Sequence, residues 1–151
     1  MAALDVRVLG PLEVTVAGRA VKLTAGRPRA LLAALALSAG RAVSVDRLAT
    51  VIWGDDLPDN VPKSVQTYLS RLRGVLGPDA IGTVPAGYQL RILPDAVDAL
   101  RFVHVLDAAG AHASDPAAER ALLGEALSLW RGSPFEDVRS EWLARTEAPR
   151  L

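Results

Sequence analysis

The 151-residue chain contains no cysteine, which excludes a disulfide framework and any thiolate metal site. Its two histidines, His104 and His112, have neither H-x-x-x-H nor H-E-x-x-H spacing, so a metal centre has little to rest on. No P-loop and no G-x-S-x-G elbow occurs. The neighbouring carboxylates Asp55-Asp56 and Glu136-Asp137 would diverge in most backbones and make a poor acid–base pair. An enzyme reading therefore rests on nothing positive, and no cofactor is expected. Long apolar runs are missing too: the most apolar stretch, residues 30–39, is about half the length of a membrane span. The first residues enter an alternating strand pattern (Leu4, Val6, Val8 against Asp5, Arg7) with no signal-peptide core. The expectation is a cytoplasmic protein with no membrane partner. Trp53, Trp130 and Trp142 lack the basic, aromatic-rich strand face of a stacking platform and read as core anchors.

Net charge is also absent, which at first argues against a nucleic-acid partner. The zero is a cancellation. Residues 1–94 hold 11 Lys and Arg against 7 Asp and Glu, while residues 95–151 hold 6 against 10. What the chain does have is apolar residues, 50% of the total, enough for a real core. The length allows one ordinary domain, or a small domain plus part of a second.

Three short strands are expected first, at Leu4–Leu9, Leu12–Val16 and Ala20–Leu23, punctuated by Gly10-Pro11 and Ala17-Gly18. A helix rich in Ala and Leu should begin near Pro28 and stop at Gly40. Ser44 suits the N-cap of a second helix through Trp53, with Asp46 in its first turn and Gly54 as the stop. After an acidic loop, Asn60 caps a third helix with Pro62 in its first turn. Gly77-Pro78 breaks it, and residues 81–92 read as two strands about a Pro85-Ala86-Gly87 turn. Three strands, three helices and a hairpin match the winged variant of the helix-turn-helix, an α+β fold whose third helix lies in the major groove. Pro94-Asp95 marks a boundary at 94, so residues 1–94 form one domain and residues 95–151 an all-α part. In that part, helices are expected over residues 97–109, from the Asp115 cap with Pro116 to Trp130, and from near Ser140 onward. The first of these should bury Leu100, Val103 and Leu106. Three such helices form too small a layer to bury themselves, so the chain is expected to stop inside its second domain.

The third helix has two unlike faces. Val61, Val65, Leu69, Leu72 and Leu76 stack on one side. The opposite side carries Lys63, Thr67, Ser70 and Gly74, with Gln66 and Arg73 along one edge and Ser64 and Arg71 along the other. Short polar groups permit close approach to base edges while flanking cations meet phosphates. Lys63, Gln66 and Thr67 are the candidates for base edges: Gln favours adenine, Lys guanine, and the Thr methyl packs on thymine. Ser70 suits either role. Arg71, Arg73 and Ser64 are candidate phosphate ligands. Arg29, at the start of the first helix, suits either a phosphate or a salt bridge. On pattern alone, an ordinary solvated helix face competes on equal terms with groove binding.

Several short stretches occur together in an order that carries a resemblance: Val8-Leu-Gly-Pro-Leu-Glu-Val14, Arg29-Ala-Leu-Leu32, Ser44-Val-Asp-Arg-Leu48, Trp53-Gly54, Tyr68-Leu-Ser-Arg-Leu-Arg73 and Gly87-Tyr-Gln-Leu90. They resemble the front of a Streptomyces antibiotic regulatory protein (SARP), whose DNA-binding domain is an OmpR-type winged helix. Asp98-Ala-Leu-Arg-Phe102, Ala126-Leu-Ser-Leu-Trp-Arg-Gly132 and Glu141-Trp-Leu143 resemble the tetratricopeptide-like bacterial transcriptional activation domain of those regulators. The resemblance implies a transcriptional activator, often of antibiotic biosynthesis. It implies double-stranded DNA as partner, bound at direct repeats by a head-to-tail homodimer, and recruitment of the RNA polymerase holoenzyme. Family wings often carry an Arg near the turn. Here residues 82–87 hold no cation and Arg91 is the nearest, so the wing is expected to act through Thr83 and backbone amides on phosphate. The competing readings are a helical protein-interaction module, the N-terminal piece of a larger regulator with ATPase or sensor domains, and, more distantly, a hydrolase.

Overall fold

A computed structural model of the chain describes residues 3–23 and 26–151. β1 (Leu4–Arg7), β2 (Glu13–Val16) and β3 (Arg19–Val21) form an antiparallel sheet in that order, with Val6 opposite Val14 and Val14 opposite Val21. Alternation puts Leu4, Val6 and Val14 inside and the charged Asp5, Arg7 and Glu13 outside. The strands are shorter than the alternating pattern suggests, because Val8 to Leu12 leave the sheet for other partners.

α1 (Arg27–Leu37) is the central helix. Ala30 through Ala36 are all buried, as an apolar surface on every side requires. Against it pack α2 (Val45–Trp53) and α3 (Val61–Leu76). The helix ends follow the expected chemistry. The Ser44 hydroxyl accepts the Arg47 amide at 3.1 Å and Gly54 closes α2, while the Asn60 carboxamide accepts the Lys63 amide at 3.2 Å and Gly77 closes α3. β4 (Ile81–Val84) and β5 (Gly87–Leu90) then form the hairpin, with Pro85-Ala86 as its two-residue turn. Val43 adds a third rung: it exchanges backbone hydrogen bonds with Tyr88 at 2.7 and 3.0 Å. Gly87 permits this approach. It sits at φ +144°, and a Cβ there would collide with the Val43 carbonyl.

After a 3-10 turn at Pro94–Ala96 come α4 (Asp98–Ala111) and α5 (Pro116–Ser128), the latter capped by Asp115 through the Ala118 amide at 3.3 Å. α4 buries Ala99, Phe102, Val105 and Ala109. This corrects the expected face, since Val103 and Leu106 are exposed. Both stripes have helical spacing, and the small Ala99 and Ala109 are what allow their side to seat against β1 and α5. A π-helical turn over Leu143–Glu147 and a 3-10 turn over Ala148–Arg150 complete the described chain.

Front and rear share one continuous core, and the segment from Val8 to Leu12 joins them. The buried Asp98 carboxylate accepts the Val8 amide at 2.7 Å and the Leu9 amide at 2.9 Å, as well as its neighbour Ala99 at 2.8 Å. The Val8 carbonyl accepts from Phe135, and the Leu9 carbonyl from Arg131, each at 2.8 Å. Arg131 also donates through its guanidinium to the Pro11 carbonyl at 2.7 Å and pairs with Glu13 at 3.0 Å. Asp137 accepts the Leu12 amide at 2.7 Å. Backbone groups that would otherwise need a neighbouring strand are satisfied by residues about ninety or more positions away in the chain.

Candidate nucleic-acid interface

The buried edge of α3 is Val65, Leu69, Leu72 and Leu76. This leaves Lys63, Gln66, Thr67, Ser70 and Arg71 exposed together, with Ser64 and Arg73 half-buried at the margins. No carboxylate interrupts the helix from Val61 to Leu76, so every charge on its open face is positive. Such a face has a positive potential without internal neutralisation.

The individual side chains are ordered differently. The Thr67 hydroxyl donates to the Lys63 carbonyl at 3.0 Å, which spends its proton on the helix. Arg71 lies over the Tyr68 ring at 5.4 Å, and Tyr68 leans on Trp53 with ring centroids 6.0 Å apart. A cation resting on an aromatic face is held in place without losing its charge. Arg73 turns toward the hairpin. Its Nε and Nη2 donate to the Ile81 carbonyl at 3.2 and 2.9 Å, and Nη2 also donates to the Thr83 hydroxyl at 3.0 Å. The hairpin thus receives a cation from α3, a pairing that the spacing of the sequence did not reveal. Arg91, the neighbour expected from the sequence, lies against Gly82 of β4 and donates to the Asp79 carbonyl at 3.2 Å.

Arg29 takes the salt-bridge option: its guanidinium meets Asp137 at 2.9 Å and its side chain is only 19% exposed. The partner lies 108 positions along the chain, so no local signal could have named it. Three cations outside the expected set, Arg41, Arg47 and Arg150, line a cleft of about 600 Å³ beside the hairpin turn and the Ser44 cap. Arg47 rests over the Trp142 ring at 5.1 Å. Among the described residues no group of three or more His, Cys, Asp or Glu could hold a metal ion, and no helix is long and apolar enough to cross a membrane.

Comparison with known proteins agrees with this architecture. Residues 18–90 match the family described as "Transcriptional regulatory protein, C terminal", and residues 97–151 match the "Bacterial transcriptional activator domain". The transcriptional regulator RedD of Streptomyces coelicolor is 36% identical over 144 residues, covering 89% of this chain and 41% of its own. The regulatory protein AfsR of the same organism is 36% identical over 152 residues, covering 99% of this chain and 15% of its own. A solved structure of Mycobacterium tuberculosis EmbR in complex with a low-affinity phosphopeptide superposes with a TM-score of 0.82 at 32% identity, covering 92% of this chain and 39% of that one. The chain therefore spans less than half the length of these relatives. With a winged-helix front, an activator-domain rear and relatives that span the junction between them, the chain belongs to the SARP family of transcriptional regulators.

Proposed function

We propose that the chain binds double-stranded DNA in a sequence-specific way and activates transcription, with residues 1–94 as the reader and residues 95–151 as the front of the activation domain. The observation that carries this reading is the carboxylate-free, exposed polar face of α3 beside a hairpin wing. In the major groove, Lys63 would address guanine and Gln66 adenine, while Thr67 would offer its methyl to thymine. Ser70 extends the same stripe. Arg71 and Ser64 would meet phosphates from one edge, and Arg73 with Thr83 from the wing side. Arg29, which pairs with Asp137, is given a structural role in this reading instead of a phosphate.

The finer reading follows the family. The regulator would act in the cytoplasm as a homodimer on direct repeats about one helical turn apart, a spacing that places both reading helices on one side of the duplex. It would recruit the RNA polymerase holoenzyme to a promoter of antibiotic biosynthesis. The test is selection from a random DNA pool, followed by affinity measured across salt concentration. A selected motif with a steep salt dependence is expected, and Arg71→Ala should flatten that slope by about one charge. A binding constant indifferent to salt and to Arg71 would refute the reading.

A further inference from the structure

The wing has no cation between residues 82 and 87, yet it is not without positive charge, because Arg73 reaches it from the last turns of α3. A guanidinium has five N–H donors in a fixed plane. Arg73 uses three of its hydrogen bonds on the wing, two to the Ile81 carbonyl and one to Thr83 Oγ1. Among the described residues its Nη1 makes none. The forked geometry ties the C-terminal end of α3 to β4 at the residue facing Tyr88 in the hairpin. It also fixes the role of the Thr83 hydroxyl. An oxygen that already accepts from a cation must turn its own proton elsewhere, and Thr83 is exposed.

We propose that Arg73 is a positioning residue of the DNA interface: it locks the wing to the reading helix and polarises the Thr83 hydroxyl so that its proton points outward, toward a phosphate oxygen of the flanking backbone. The helix thus supplies the wing with a cation beside Arg91, whose guanidinium lies against Gly82. The inference rests on the DNA-binding reading above. It differs from a simple phosphate contact in one respect. A lysine could replace a phosphate ligand, but its single ammonium cannot hold the Ile81 carbonyl and the Thr83 hydroxyl in one plane.

The test uses the whole chain and a duplex that the wild type selects from a random pool. Arg73→Lys, Thr83→Val and the double variant are compared in affinity, salt slope and hydroxyl-radical footprint, with thermal unfolding of each to confirm that it is folded. Arg73→Lys should lose about tenfold in affinity at unchanged salt slope, since the charge remains while the charged hydrogen bonds are lost. Thr83→Val should lose a similar factor in the wild type and almost nothing further in the Arg73→Lys background. Protection should vanish only under the wing and persist under α3. A purely structural Arg73 would lower the melting temperature without coupling to Thr83. Wild-type affinity in Arg73→Lys, or additive losses, would overturn the inference while leaving DNA binding intact. A wild-type chain that selects no sequence would overturn the DNA reading itself, and the inference with it.

Discussion

Replacing Asp98 by alanine is the sharpest perturbation of the joint between the two halves. The carboxylate is 6% exposed and accepts the Val8 and Leu9 amides across a gap of about ninety residues. Its removal leaves three buried amides, those of Val8, Leu9 and Ala99, without a partner, each costing about 1–3 kcal/mol. Part of that is returned, because holding a charge in the interior is itself unfavourable. The net loss should be about 3 kcal/mol, a large fraction of the roughly 5–15 kcal/mol that holds an ordinary domain together. At this chain length that corresponds to a fall in melting temperature of about 6–12 °C. Urea unfolding followed by circular dichroism gives the free energy. Amide hydrogen exchange gives the location: Val8 and Leu9 should lose protection, and the end of β1 and the start of α4 should open together because both hang on the same carboxylate. A loss under about 1 kcal/mol, or protection of Val8 and Leu9 equal to that of the wild type, would refute this account of the joint.

Two further outcomes follow. Gly87→Ala should displace the wing: the added methyl would collide with the Val43 carbonyl at a positive φ, so the Val43 and Tyr88 amides should exchange faster and stability should fall by about 2 kcal/mol or more. For Asp98 itself, burial pushes the carboxyl above its ordinary value of 3.8, while the Val8, Leu9 and Ala99 amides and the more distant Arg131 pull it back. A raised folded-state pKa adds stability below the unfolded value and loses it as pH rises through the folded value. The stability difference between wild type and Asp98→Asn should therefore be largest below pH 3.8 and shrink as pH climbs past the folded-state pKa, as read from urea melts across that range. A difference growing with pH over that interval would contradict it.

The fold was legible wherever its cause is local. Ser44, Asn60 and Asp115 all cap the helices they were expected to cap, and Gly54 and Gly77 end two of them, because capping is decided within a few residues. The Pro85-Ala86 hairpin and the two faces of α3 are legible for the same reason. Long-range pairings were not. The Arg29 bond to Asp137 and the Asp98 bonds to Val8 and Leu9 join residues with no common periodicity. The face of α4 was misread because that helix has apolar residues on more than one side. Leu100, Val103 and Leu106 outweigh Ala99 and Ala109 in hydrophobicity, yet the face that packs is the one on which those small residues flank Phe102 and Val105. Arg73 escaped for a subtler reason: its spacing places it at the edge of the reading face, and only the fold of the wing shows which way it turns.

These contacts determine what the rear part can do to the reader. Asp137 holds Arg29 on α1, the Ser140 hydroxyl donates to the Val51 carbonyl of α2 at 2.6 Å, and Trp142 lies under Arg47 of the same helix. α1 and α2 are the two helices packed against α3. The third side of α3 is tied to the wing through Arg73, and the wing to the start of α2 through Val43. α3 is thus supported on every side but the polar one. Because the supports on α1 and α2 come partly from residues 137–142, the direction of the helical layer relative to the reading face is set by packing and hydrogen bonds, not by a free linker. Asp98 of α4 holds Val8 and Leu9, and Asp137 joins Leu12 to Arg29 of α1, so the rear is tied to the reader at both points.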